Sequence, residues 1–306
     1  MSIQPQAIIP DAFPWFDYSG FTFSLGVDLG DLVFNSGHTG ASYDPEVGKM
    51  AIGGPMSGQV TVAYEKAETI LGGVGLTFDD VVLVTEYVTV DGLEFYDDVK
   101  AAREKFLGGV RPAVSTVVVD RLVRRKAYVE IEITASRTRD VAGPGDPAKA
   151  ASREAADGTV YLSTIHPYDE NGALVGGDDV SLQVEQIFKN ARTQLRALGL
   201  DTSDIVKTLE IIRPEALPTY KGTGRVRKEY LGPVYPGAAG ILQRRVAVDD
   251  RVLISYDIIA SRHEAEAINP GWDRYEKLTY SPAVKAGNMV WMSGQAALDP
   301  ETERAV

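Results

Sequence analysis

The chain resembles itself. Residues 73–89 read GVGLTFDDVVLVTEYVT and residues 197–212 read ALGLDTSDIVKTLEII, which sets Gly75 beside Gly199, Asp80 beside Asp204, Val82 beside Val206 and Glu86 beside Glu210, each 124 positions apart. ITASR at 133–137 matches IIASR at 258–262 at an offset of 125. A shorter segment occurs three times, as LVFNSG at 32–37, VYLST at 160–164 and VWMSG at 290–294. A fixed period of this kind means that whatever one copy folds into, the next must fold into as well. Three copies of the first segment stand against two of the rest.

Within a copy, periodicity sets the order of elements. A β pair around LVFNSG leads into a loop with Asp-Pro at 44–45, and again at 299–300. An amphipathic helix follows, carried in copy one by Ala63, Ala67, Ile70 and Leu71 and in copy two by Val184, Ile187, Ala191, Leu195 and Leu198, with Gly199 as its C-cap. Next come a β-branched strand at 81–90 or 205–212 and a second helix at 93–107 or 217–231. A hairpin then ends each copy in an alternating strand, YVEIEI at 128–133 or LISYDI at 253–258. That order predicts an α+β sandwich with helices on one face of a mostly antiparallel sheet. Linkers fall at 138–152 and 263–277, so the expected domains are 1–140, 141–265 and an opening fragment of a third copy at 266–306.

Composition narrows the function classes. The 306 residues contain no cysteine, which removes disulfides, thiolate zinc sites and Cys nucleophiles and fits a cytoplasmic protein. A net charge of −12 opposes non-specific nucleic-acid binding, which needs a cationic face. The basic cluster RLVRRK at 121–126 reads as a solvated turn. No apolar run approaches the roughly 20 residues that span a bilayer, and MSIQPQAIIPDAF lacks the layout of a secretory signal. Three scattered histidines, His38, His166 and His263, have no metal-ligand spacing, so no metal site is expected.

YSPAVKAGNMVWMSGQ (280–295), DPETE, the Gly-Leu…Asp-Ile-Val-Lys junction (199–207) and VEIEITASR (129–137) resemble the Rid family, also called YjgF/YER057c/UK114. The resemblance runs along nearly the whole chain. It implies tandem sandwiches of the chorismate-mutase-like kind. Family members are homotrimers around a central barrel with clefts at subunit interfaces, so the resemblance implies that three copies on one chain would form a pseudo-trimer, open to assembly into a higher oligomer. The incomplete third copy would be completed by a second polypeptide, a truncated chain being the plainer explanation.

The family's chemistry, as the resemblance implies it, is hydrolysis of enamines and imines without metal or organic cofactor. An arginine grips the substrate carboxylate, a glutamate orients or deprotonates water, and hydroxyls of a Tyr and a turn Ser hold the substrate. Copy one has Val114 at the arginine position and copy two Ala238, so a carboxylate-bearing substrate is not expected at either. Copy one keeps the glutamate as Glu130 and the serine as Ser36, with Phe23 at the tyrosine position. Copy two puts Ser255 in place of the glutamate and keeps Ser163, while copy three opens with Tyr280, Ser293, Gly294 and Gln295. The candidate catalytic residues are therefore Glu130, Ser293 and Tyr280, and the candidate small-molecule contacts Ser36, His38, Ser163, Gly294 and Gln295, with His38 and His166 expected near the cleft mouth.

Each has a plainer structural reading. Alternation of Glu130 with Val129 and Ile131 is also what a half-exposed strand shows, serines in turns bond their own backbone, and a Tyr can be an ordinary core aromatic. A Ser36/His38 nucleophilic pair lacks a third group to orient the imidazole. Three functions follow: a hydrolase of an imine, enamine or related C–N bond; a self-processed amidohydrolase whose partner chain starts with a Thr or Ser nucleophile; and a non-catalytic ligand-binding scaffold.

Overall fold

The computed structural model describes residues 4–137, 152–297, 299, 302 and 304, and the chain divides into two compact units. One comprises residues 1–157 with 245–247, the other 158–244 with 248–306. The linker expected at 138–152 lies outside the described residues except for Ser152.

The first unit begins with short strands β1 (Gln6–Ala7), β2 (Gly26–Asp28), β3 (Leu32–Asn35) and β4 (His38–Thr39), then a small hairpin, β5 (Ser42–Asp44) and β6 (Lys49–Ala51). Helix α1 (Met56–Gly72), β7 (Val81–Thr89), α2 (Tyr96–Leu107), β8 (Ala113–Val119) and β9 (Val129–Ser136) follow, and β10 (Ser152–Glu154) closes the unit. The sheet runs β1-β2-β3-β9-β7-β8, with β4 also pairing with β9. Every pairing in it is antiparallel except β7 with β8.

That parallel pair corrects the expected terminal hairpin. A parallel neighbour requires a crossover, and α2 supplies it. Strands β8 and β9, consecutive in sequence, therefore lie on opposite sides of β7 and do not pair with each other. The RLVRRK segment links them as a loop in which Val123 is fully exposed.

The second unit repeats the order with β11 (Thr159–Ile165), α3 (Val180–Ala197), β12 (Ile205–Ile212), α4 (Thr223–Tyr230), β13 (Gly237–Leu242) and β14 (Ile254–Ser261). Here too β12 lies between a parallel β13 and an antiparallel β14, in the order β11-β14-β12-β13. The unit then adds β15 (Ala265–Ile268), β16 (Ala283–Ala286) and β17 (Met289–Met292), an antiparallel three-stranded sheet.

The cores explain the period. Val60, Ala63, Ala67, Ile70 and Leu71 of α1 share a cluster with Val129, Ile131 and Ile133 of β9. Val184, Ile187, Ala191 and Leu195 of α3 do the same with Ile254, Tyr256 and Ile258 of β14. Tyr64 stacks on Phe106 with centroids 5.2 Å apart, and Phe188 stacks on Tyr230 at 5.6 Å, the same two sequence positions in each unit. Left-handed glycines, Gly75 (φ 72°) and Gly199 (φ 74°), follow the two helices and turn the chain into the next strand. Both second helices start later than their patterns suggest, behind 3₁₀ turns at Asp91–Phe95 and Tyr220–Gly222.

Candidate active site

The alternating strand β9 turns Val129 and Ile131 into the core and leaves Glu130 and Glu132 half-buried on the other face. Glu130 lies opposite Tyr87 in the β7 register and opposite Thr39 in that of β4. Its carboxylate rests on the Gly37 turn so closely that a Cβ added at Gly37 would stand 2.3 Å from Oε1. Burial, followed by the charge of Glu132, pushes the Glu130 carboxyl above the ordinary glutamate range. Glu132 is raised by burial too, against the opposing effect of the Tyr87 hydroxyl, which donates to its Oε2 at 3.4 Å. Two carboxyls with raised pKa on one face beside a glycine turn are suited to accepting and returning protons.

The neighbouring candidates are occupied otherwise. The Ser36 Oγ donates to the Ser24 carbonyl at 2.6 Å, which leaves no Ser36–His38 pair. His38, expected near a cleft mouth, is instead 5 % exposed, with Phe13 and Phe16 within ring-contact range. Burial, then the nearby Lys66 charge, lowers its pKa to about 4, so the ring is neutral at pH 7. An alternating apolar neighbourhood around LVFNSGH carries that signal weakly, because the aromatic residues arrive from the preceding loop. Phe23, at the tyrosine position, is exposed.

The second unit builds different chemistry on the equivalent strand. Ser255 stands where Glu130 does, and its hydroxyl lies 2.7 Å from His166 Nδ1. Burial lowers the His166 pKa to about 4, so a neutral ring meets that hydroxyl. Thr164 donates to Asp257 at 2.5 Å, and Ser163, half-buried, sits within β11 instead of in a turn. Ser255 is 1 % exposed, which keeps it from any substrate in this conformation.

Tyr280, Ser293, Gly294 and Gln295 also belong to the second unit, apart from Glu130 in the first. Ser293 joins the β15–β17 sheet to β13: its Oγ donates to the Ser281 carbonyl at 2.5 Å and accepts from the Ala238 N–H at 2.7 Å. The Gly294 N–H donates to the Ala238 carbonyl at 2.9 Å, and Ser281 donates through its Oγ to Tyr235 O at 2.7 Å. Gly237 must lack a side chain here, since a Cβ would meet the Trp291 carbonyl at 2.5 Å. Tyr280 is half-buried, edge-on to Tyr275 at 5.8 Å, and Gln295 is exposed, its side chain reaching only the Ser293 carbonyl at 3.2 Å. Val114 and Ala238, expected at the arginine position, lie on β8 and β13.

Three polar clusters escaped the sequence reading and recur at the same offset. Buried Glu86 accepts from the Tyr96 hydroxyl at 2.8 Å and pairs with Arg103; buried Glu210 accepts from the Tyr220 hydroxyl and from Arg227 at 2.7 Å. Burial, then the Glu86 charge, pushes Tyr96 up to about 12, while Tyr220 is raised for the same reasons. Gln59 donates to Gly54 O and Lys126 O and accepts from Tyr128 N–H; Gln183 donates to Gly177 O and Arg251 O and accepts from Leu253 N–H. Lys66 donates to the Thr39 and Ala41 carbonyls where Asn190 donates to those of His166 and Tyr168. Burial lowers Lys66 to about 8. Extending the 124-residue offset from Glu86 to Tyr96 and Arg103 would have found the first cluster.

Residues 19–137 match the family model described as Endoribonuclease L-PSP. Solved structures similar to part of the chain include a putative endoribonuclease from Thermotoga maritima, 28 % identical with a TM-score of 0.37, which covers 44 % of this chain and 98 % of its own. Rv2704 of Mycobacterium tuberculosis, a member of the YjgF/YER057c/UK114 family, is 27 % identical at a TM-score of 0.35, over 44 % of this chain and 99 % of its own. TdcF of E. coli with bound serine is 25 % identical at a TM-score of 0.36, over the same shares. No curated protein matches. Among the described residues no helix is long and apolar enough to cross a membrane.

Proposed function

We propose, from the match of residues 19–137 to the endoribonuclease L-PSP family model, that the chain is a member of the Rid (YjgF/YER057c/UK114) family and hydrolyses an imine, enamine or related C–N bond at the Glu130 face of its first unit. The observation that carries the reading is the raised carboxyl of Glu130 held against the Gly37 turn beside Glu132. In the step envisaged, the Glu130 carboxylate takes a proton from water as the oxygen attacks the C=N carbon. That proton passes to the nitrogen to give the carbinolamine, and Glu130 then moves the carbinolamine hydroxyl proton to the same nitrogen as the C–N bond breaks, leaving a carbonyl compound and ammonia or an amine. Val114, where the family's arginine would grip a carboxylate, selects for substrates without that group. The matched polar clusters of the two units support a tandem origin and, with it, a pseudo-trimeric arrangement.

A second reading, the ligand-binding scaffold, draws support from the two turn serines, both of which spend their hydroxyls on backbone carbonyls. Ammonia release measured across a panel of imines, enamines and cyclic amides separates the two. Turnover of carboxylate-free members fits the hydrolase, and silence across the whole panel with saturable binding of any of them favours the scaffold.

A further inference from the structure

The second unit holds an open cavity of about 560 Å³ between α4 and the 3₁₀ turn at Asp273–Lys277. Five cations line it: Lys221, Arg225, Arg227, Lys228 and Lys277. For a chain of net charge −12 this is a local reversal of sign. Arg227 is the built part of the wall. Its guanidinium is fixed by Glu210 and by Tyr220 Oη at 2.9 Å, and its buried Nε has no hydrogen-bond partner among the described residues. The buried Thr279 and the Tyr220 ring complete the floor.

The other cations are crowded with little compensation. Lys221 and Arg225 are four residues apart and Arg225 and Lys228 three, spacings at which like charges on a helical face repel. Arg225 has Glu229 at 4.0 Å, a solvent-exposed pair of little worth. Lys221, Lys228 and Lys277 form no ion pair among the described residues. The first unit shows that the scaffold does not demand this. At the positions matching Lys221, Arg225 and Lys228, α2 carries Asp97, Ala101 and Glu104 around the same Glu–Tyr–Arg cluster.

We infer that this cavity is a binding site for a small molecule bearing a phosphate or diphosphate group. Lysines supply mobile point charges for such a group, and a guanidinium fixed from behind presents a preset donor edge. The volume lies within the range of small-molecule sites, roughly 300–1,000 Å³. Bound anion would relieve the repulsion that α4 carries when empty.

Titration calorimetry of the full chain with inorganic pyrophosphate, at low and near-physiological salt, tests this independently of any catalysis. Saturable binding is expected, weaker at higher salt and weakened about tenfold or more in Lys221→Glu/Lys228→Glu. Lys277→Glu, on the facing wall, should weaken it as well, while Lys100→Glu on α2 should not. Thermal melts establish that each variant is folded, and the exposed lysines make that the expected state. Absence of saturable binding, equal affinity in the double variant, or tighter binding of citrate than of pyrophosphate overturns the assignment. Binding of a short single-stranded oligonucleotide that pyrophosphate cannot displace also overturns it.

Discussion

The two units hold the same polar skeleton and dress it differently. Glu86–Tyr96–Arg103 and Glu210–Tyr220–Arg227 bury one carboxylate under one hydroxyl and one guanidinium at matching places on β7/α2 and β12/α4. Around the first cluster α2 balances three acidic residues against three basic ones, whereas around the second α4 is basic. On the opposite face Glu130 becomes Ser255 and Glu132 becomes Asp257. Groups that satisfy buried partners have been kept, because losing one strands the other in a low-dielectric interior. Positions outside those clusters carry no such penalty and have diverged, on the α2 and α4 surfaces and on the Glu130/Ser255 face alike.

If that division holds, Glu86→Ala and Glu210→Ala should cost alike, about 3–5 kcal/mol each, since each leaves a largely buried arginine unpaired. Urea unfolding would register it, and a cost below about 1 kcal/mol in either unit would break the equivalence. The histidines give the next largest effect. His38 titrates near 4 when folded and near 6.5 when unfolded, so the unfolded chain binds protons first as the pH falls. The stability it contributes is present above pH 6.5 and lost on descent toward pH 4, by about 3 kcal/mol at most. His38→Gln should flatten that part of the stability–pH curve, and an unchanged curve would contradict the assigned burial.

Smaller still are the paired glutamines. Gln59→Ala and Gln183→Ala each free the N–H of Tyr128 or Leu253 and two carbonyls, for about 1–3 kcal/mol in either unit. A large loss in one and none in the other would sharpen the comparison by showing which loop relaxes to water.

Much of this fold was legible in the residues and some was not. The helical stripes of Ala63–Leu71 and Val184–Leu195 gave the cores directly, because burial of one helical face leaves a periodic trace. The place of β8 left no such trace: its side chains alternate as a hairpin strand's would, and only the α2 crossover makes it parallel to β7. Tyr96 and Arg103 looked like an ordinary exposed helix until their common partner, Glu86, was placed beneath them. Glu130 was visible as a member of an alternating strand, but its raised carboxyl depends on Gly37, 93 positions away in sequence, and on Glu132. The Ser255–His166 contact is equally non-local.

The most direct test of where the chemistry resides is the initial rate of ammonia release for Glu130→Gln and Ser255→Ala measured side by side, on the substrate the panel identifies. Loss of a general base predicts a fall of about 10²–10⁴-fold for Glu130→Gln, chiefly in kcat, with Ser255→Ala within about twofold of the parent. Activity retained in Glu130→Gln but lost in a folded Ser255→Ala would contradict the account and move catalysis to the second unit.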